Sequence, residues 1–284
     1  MEAMTYSEFI RKTSNELTNI YCESEANSIS KMLAQDLFKA DNTSLIIQNS
    51  IILDPDIKEK YWNYISLLKR GVPVQYVLGY SFFYGYRFNI ENGVLIPRQE
   101  TEELVDWIIK DHKKEESLSI LEVGTGSGII AIILAMELLK PKIMGIDISE
   151  KAIEVTNSNI QKFKLKNISV EKQDLFDFKS NIMFDIIVSN PPYVREFEKR
   201  LMESLVLEHE PHQALFVNDD NPLVYYEAIL KLAQINLCSG GVGYFEINES
   251  LGNELESMIT NLGFKMDALR RDINNKPRMI RFYK

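Results

Sequence analysis

Two short segments bring together residue types that do chemistry. The first is Glu122-Val123-Gly124-Thr125-Gly126-Ser127-Gly128, which runs into the aliphatic stretch Ile129–Leu139. Glycines at alternate positions permit a tight strand-to-helix turn and let a ligand approach bare backbone. Nineteen residues beyond Gly128 stands Asp147, at the end of Ile143-Met144-Gly145-Ile146. A carboxylate there accepts hydrogen bonds from both hydroxyls of a ribose. The second segment is Asn190-Pro191-Pro192-Tyr193, directly after the apolar run Phe184–Ser189. Two prolines have fixed φ and no N–H, so the chain leaves the sheet here as a rigid loop whose carbonyls need donors. The Asn190 side-chain oxygen and the Pro191 carbonyl are two acceptors for the two hydrogens of a planar –NH2 group, with Tyr193 expected over its flat face.

The glycine spacing narrows the nucleoside. A dinucleotide loop reads Gly-x-Gly-x-x-Gly with pyrophosphate on the helix N-terminus; here the third glycine position is Ile129. Glu122 would repel a pyrophosphate and suits a cation. S-adenosyl-L-methionine, with a sulfonium, an ammonium and no phosphate, meets both conditions, and S-adenosyl-L-homocysteine would be its product. Residues Glu122–Gly128 resemble the first motif of class I methyltransferases, and Asp147 matches that family's ribose acid. The same resemblance puts Asp174 and Leu175, of Asp174-Leu175-Phe176, beside the adenine ring. An amide nitrogen is a poor nucleophile because its lone pair is delocalised. Two acceptors on its hydrogens would orient it, and an in-line displacement at a sulfonium takes most of its help from alignment. The proton leaves after the nitrogen becomes cationic, so no His or Cys base is required.

The elements that must position these residues are legible in outline. Candidate strands are Ser119–Val123, Lys142–Asp147, Ile168–Gln173, Phe184–Ser189, Val242–Ile247, Phe264–Arg271 and Met279–Tyr283. Helical spacing covers Thr101–Lys110, Ile129–Leu139, Glu150–Lys164 and Pro222–Leu237. This alternation predicts an α/β fold: a Rossmann-like, seven-stranded, mostly parallel sheet with helices on both faces. The last two strands are separated by too few residues for a parallel crossover, so the sheet should end in an antiparallel hairpin. Residues 1–73 read as a small all-α domain, with Asp54-Pro55 starting one helix and Gly71 and Pro73 ending it. Residues 74–98 read as a β-hairpin linker, with Glu91-Asn92-Gly93 as the turn before Val94-Leu95-Ile96. Residues 99–284 form the catalytic domain.

Composition limits the partners. The 284 residues carry 32 Lys+Arg against 41 Asp+Glu, a net charge of −9. A nucleic-acid binder draws most of its affinity from neutralised phosphates and usually carries a basic surplus, so direct nucleic-acid binding is not expected. No stretch is apolar for the ~20 residues a bilayer span needs, and the N-terminus lacks the pattern of a signal peptide. Cys22 and Cys238 stand alone, which argues against a disulfide framework. His209-Glu210-Pro211-His212 lacks metal-site spacing, and no metal is expected. A cytoplasmic protein with no implied oligomer fits. Arg98 with Glu100 and Glu102 reads equally as a structural ion-pair group or as a substrate contact.

Taken with Gly71-Val72-Pro73-Val74-Gln75-Tyr76, Leu95-Ile96-Pro97-Arg98, Glu100-Thr101-Glu102, Glu210-Pro211 and Ala214-Leu215, these motifs resemble the release factor glutamine N5-methyltransferases of the HemK type. The resemblance spans nearly the whole chain and departs from the family pattern at Gln99 and Asn248. It implies methylation of the glutamine in the Gly-Gly-Gln loop of class 1 peptide-chain release factors. It further implies that Asn190, Pro191, Pro192 and Tyr193 hold the substrate amide and that the N-terminal helices help grip the release factor. Glutamine methyltransferases of ribosomal protein uL3 carry similar motifs. A DNA adenine-N6 methyltransferase or a non-enzymatic binding module is a weaker alternative.

Overall fold

The computed structural model describes residues 2–46, 50–202 and 204–284; Met1, Ile47, Gln48, Asn49 and Glu203 lie outside the described residues. The chain divides into two compact units, Met1–Gly79 and Tyr80–Lys284.

In the first unit the main helices are Tyr6–Leu17, Glu23–Phe38 and Pro55–Lys69. Asp54 caps the third, its carboxylate accepting from Ile57 N at 2.8 Å with Pro55 in the first turn, as residue type at these positions dictates. Phe9, Leu17, Ile29, Leu33, Ile65 and Leu68 form the apolar interior. The helices are joined by a two-stranded antiparallel ribbon, Glu2–Thr5 with Ser50–Leu53. The all-α reading of residues 1–73 does not include it; in the ribbon Ile51 and Leu53 are buried while Ser50 and Ile52 are exposed, as the alternating faces of a strand require.

The second unit opens with a hairpin, Tyr80–Phe83 paired with Tyr86–Asn89. Its turn is Tyr84-Gly85, with φ of 52° and 78°, the two-residue geometry whose twist matches that of paired strands. The expected hairpin through Glu91-Asn92-Gly93 does not form. Residues 94–98 belong to no strand, and side chains help hold this stretch. Val94 packs on Ala152 and Val155, and Ile96 N–H donates to Glu210 Oε2 at 3.3 Å.

The sheet has seven strands: β1 (Ser119–Val123), β2 (Lys142–Asp147), β3 (Ile168–Lys172), β4 (Phe184–Ser189), β5 (Leu237–Glu246), β6 (Lys265–Arg271) and β7 (Pro277–Tyr283). Their spatial order is β6-β7-β5-β4-β1-β2-β3. All neighbours are parallel except β7, which runs antiparallel to both β5 and β6. Adjacent side chains on β5 point to opposite faces. Tyr244 meets Trp107 and His112 of the helix Gln99–His112. Phe245 packs on Tyr226 of the helix Val224–Asn236 and on Phe282 of β7. Helices therefore cover both faces. Two further helices, Ile129–Glu137 and Glu150–Phe163, follow β1 and β2. The strand order reverses between β1 and β4, so the loops leaving their carboxyl ends diverge and open a crevice there. Both chemical segments lie on those two loops. Among the described residues no helix is long and apolar enough to cross a membrane.

Candidate active site

The loop after β1 is shaped by its three glycines, with φ of 77° at Gly124, 57° at Gly126 and 79° at Gly128. A Cβ on Gly128 would lie 2.6 Å from Thr156 Cγ2, so this glycine seats the loop against the helix Glu150–Phe163. A Cβ on Gly126 would meet no protein atom within 4 Å; what its absence leaves is room on the crevice side. Thr156 Oγ1 donates to Gly126 O at 2.9 Å and Asn159 Nδ2 to Ser127 O at 2.9 Å.

Asp147, at the end of β2, accepts Gly126 N–H on Oδ2 and Ser149 N–H on Oδ1, each at 2.9 Å. Each oxygen keeps a lone pair. Burial raises its pKa, against the pull of those backbone donors. Glu122 is almost wholly buried. Its Oε2 accepts Thr125 Oγ1–H at 2.8 Å and Ala131 N–H at 3.2 Å, while Oε1 has no partner. Desolvation pushes its carboxyl up to about 8, the two donors offset part of this, and Asp147 adds to it.

One cavity is lined by Gly124, Gly126, Asp147, Asp174, Leu175, Asn190, Pro191 and Pro192 together with Gly93–Leu95, Phe176, Gln213 and Tyr225. A smaller recess shares Gly124, Gly126 and Asn190 with it and adds Glu122, Thr125, Ser127, Arg98 and Thr101. Gly128 and Tyr193 line neither. The Tyr193 ring packs on the apolar core beneath β4 and β5, and its hydroxyl donates to Glu246 Oε1 at 3.0 Å. Desolvation, with the charge and hydrogen bond of Glu246 adding to it, raises the phenol pKa well above its ordinary value. Tyr193 thus fastens the end of the loop where the sequence suggested a cover over the ligand.

Tyr193 leads to residues outside the two motifs. Asn190 Nδ2 donates to Thr101 Oγ1 at 3.1 Å, and Thr101 Oγ1 donates to Glu246 Oε2 at 2.7 Å. Asn248, one of the two departures, donates from Nδ2 to Tyr193 O at 3.1 Å and to Glu198 Oε2 at 2.9 Å. The other, Gln99, simply begins the helix that carries Thr101. Arg98 pairs with neither Glu100 nor Glu102. It meets buried Glu210 at 2.6 Å, and Glu102 accepts Tyr84 N–H. His212 Nε2 contacts the Leu207 carbonyl at 2.7 Å, so the residues of the His209–His212 run face different partners.

A profile described as a methyltransferase domain matches residues 114–265, and one described as a PrmC N-terminal domain matches residues 8–79. The chain is 41% identical over 269 residues to the release factor glutamine methyltransferase of Flavobacterium psychrophilum, covering 93% of this chain and 94% of that one. It is 38% identical over 266 residues to the release factor glutamine methyltransferase of Bacteroides thetaiotaomicron, covering 93% and 95%. The chain belongs to the release factor glutamine methyltransferase family. It is an enzyme, a methyltransferase. A crystal structure of a methyltransferase from Pyrococcus furiosus shares the fold, with a TM-score of 0.53 at 15% identity over 81% of this chain and 99% of that one.

For this methyltransferase, Thr101 and Glu210 stand in motifs that carry the resemblance but assign them no role, and Glu246 lies outside every motif. Glu246 leaves a trace in the sequence: it is the lone carboxylate of Val242-Gly243-Tyr244-Phe245-Glu246-Ile247, and a charge in a buried strand requires partners.

Proposed function

We propose that this enzyme transfers a methyl group from S-adenosyl-L-methionine to the side-chain nitrogen of the glutamine in the Gly-Gly-Gln loop of class 1 peptide-chain release factors, in the cytoplasm. The observation that carries this reading is the Asn190 amide. With Nδ2 directed at Thr101, its acceptor edge is left for a ligand of the cavity that Asn190 lines with Pro191 and the glycine loop. The names of the relatives supply the release factor.

The residues present fit the cofactor. Asp147 has a free lone pair on each oxygen for the ribose hydroxyls, Glu122 has a buried, unpartnered oxygen for a cationic group, and Gly126 leaves side-chain room open. Asp174 and Leu175 line the same cavity for the adenine. When bound, S-adenosyl-L-methionine supplies an electrophilic methyl group and leaves as S-adenosyl-L-homocysteine. Asn190 Oδ1 and the Pro191 carbonyl accept the two N–H groups of the glutamine amide and turn its nitrogen toward the cofactor. Holding both hydrogens outward favours the pyramidal nitrogen of the transition state over the planar ground state, which is the selective binding that accelerates a reaction. Tyr193 anchors the loop through Glu246. The helical unit matched by the PrmC N-terminal profile is assigned to holding the release factor.

Glu122 makes the cofactor's affinity pH-dependent. In the ligand-free enzyme its carboxyl titrates near 8, so at pH 6 it is protonated. A cationic ligand favours the carboxylate, so binding expels a proton and is opposed below that pKa. Affinity for S-adenosyl-L-methionine is expected to tighten by up to about tenfold per unit between pH 6 and 8 and then level off. Calorimetric titration across this range checks it. A flat profile in the wild type would remove Glu122 from the cation site, and Glu122→Gln should flatten the profile.

The reaction is tested by incubating the full chain with methyl-labelled S-adenosyl-L-methionine and, separately, release factor, its Gln-to-Ala loop variant, uL3 and duplex DNA. Label in the release factor that vanishes with the variant supports the reading. Label in uL3 alone keeps the chemistry and moves the partner. Label in DNA alone, or in none of the four, overturns it.

A further inference from the structure

An asparagine amide has two edges of the same shape and opposite chemistry. One is a carbonyl oxygen that accepts, the other an –NH2 that donates. A glutamine nitrogen can bind only to the accepting edge, because the other would set donor against donor. Among the described residues the Asn190 side chain makes no hydrogen bond within its own loop, and the prolines that follow it have no N–H to offer.

The choice is made by groups distant in sequence. Glu246 stands at the end of β5, 1% exposed. Burial raises its pKa, while the Thr101 and Tyr193 hydroxyls and the charge of Arg278 oppose this. With a hydroxyl donating to each oxygen, it serves as an acceptor on both. Thr101, 2% exposed on the first turn of the helix Gln99–His112, points its hydroxyl at Glu246 Oε2 at 2.7 Å. A hydroxyl has one hydrogen. Once that hydrogen is directed at Glu246, the Thr101 oxygen turns lone pairs to its other neighbour, Asn190, and only the Nδ2–H edge of the amide can meet them, as it does at 3.1 Å. The second oxygen of Glu246 accepts the Tyr193 hydroxyl at 3.0 Å, so the same carboxylate holds the far end of the loop.

We propose that Thr101 and Glu246 are positioning residues that set the polarity of the Asn190 amide, turning its oxygen to the substrate nitrogen. This rests on the reading of Asn190 as the acceptor of the glutamine amide. Neither residue touches the substrate; both act through Asn190. The direction of one hydroxyl hydrogen, imposed by a buried carboxylate, thereby sets which hydrogen-bonding group the enzyme shows its substrate.

The test is a double-mutant cycle in initial rates of methyl transfer to the release factor, with cofactor affinity measured in parallel. Thr101→Val keeps the shape and removes the hydroxyl, and is expected to lower kcat/KM for the release factor about 10- to 100-fold with cofactor Kd within about twofold. Thr101→Ser, which keeps the hydroxyl, should recover activity to within about threefold of wild type. In the Asn190→Ala background Thr101→Val should cause no further loss, because the amide it positions is gone. Glu246→Gln, which keeps volume and can donate to Thr101, should lower kcat/KM without moving cofactor Kd; it reads the same relay if Thr101→Val folds poorly. Wild-type activity in Thr101→Val, or losses that multiply in the double variant, would overturn the relay while leaving the acceptor reading intact. Near-native turnover of Asn190→Ala would overturn the acceptor reading itself, and the relay with it.

Discussion

Asn190→Ala is expected to lower kcat by about 10²–10³-fold, the range seen when a preorganised hydrogen-bonding group at a reacting centre is removed, while cofactor Kd stays within a few-fold. The asymmetry follows from where the residue sits. Asn190 lies at the end of β4 and lines the cavity with Pro191, whereas the groups suited to the cofactor, Asp147 and the glycine loop, belong to β2 and the turn after β1. Removing the amide takes one of two acceptors from the substrate nitrogen and leaves the Pro191 carbonyl. The amide then binds less firmly and, more importantly, is no longer aligned for displacement. The substitution also leaves the Thr101 hydroxyl without its donor, a loss confined to one buried contact. Single-turnover rates with labelled cofactor and release factor, beside calorimetric binding of the cofactor, separate the two effects. Near-native turnover would sink the two-acceptor mechanism.

Asp147→Ala should do the reverse, raising cofactor Kd by about 10²-fold, since hydrogen bonds to a charged group are worth roughly 1.5–3 kcal/mol each. kcat at saturating cofactor should fall less than tenfold. Two losses combine. The ribose hydroxyls lose a carboxylate acceptor, and the N–H groups of Gly126 and Ser149, both now held at 2.9 Å, lose theirs. The second loss loosens the turn after β1, whose positive-φ backbone depends on such ties. Asp147→Asn keeps one acceptor oxygen and should fall between the two. A Kd within about threefold of wild type for Asp147→Ala would mean that the ribose is held elsewhere.

Much of this enzyme is written in local patterns. The central strands β1 and β4 follow from short, mostly apolar runs bounded by turn residues, because a strand buried on both faces has to be largely apolar; β3 and β6, at the sheet edges, carry charged residues. The antiparallel end of the sheet follows from the brevity of the link between β6 and β7. Motif spacing leads to the glycine loop, Asp147 and the Asn190–Tyr193 segment because each is a run of consecutive residues or stands at a fixed strand-to-loop offset. Local pattern fails where two readings compete. Glu91-Asn92-Gly93 has the composition of a hairpin turn, yet the hairpin closes at Tyr84-Gly85. There a non-glycine residue tolerates φ of 52° because the paired strands on either side hold it, and Val94 prefers the apolar surface of Ala152 and Val155 to a strand partner.

What the sequence determined by itself is the fold class, the two motif-bearing loops and the family, since each rests on residues adjacent in the chain or one strand apart. What only the tertiary structure decided is the polarity of the site. Thr101 lies 89 residues from Asn190 and 145 from Glu246, and Arg98 lies 112 from the Glu210 it meets. No periodicity links them. They meet because the helix Gln99–His112 packs over the face of β5 that bears Tyr244 and Glu246, so packing, not local propensity, determines which way the Asn190 amide turns.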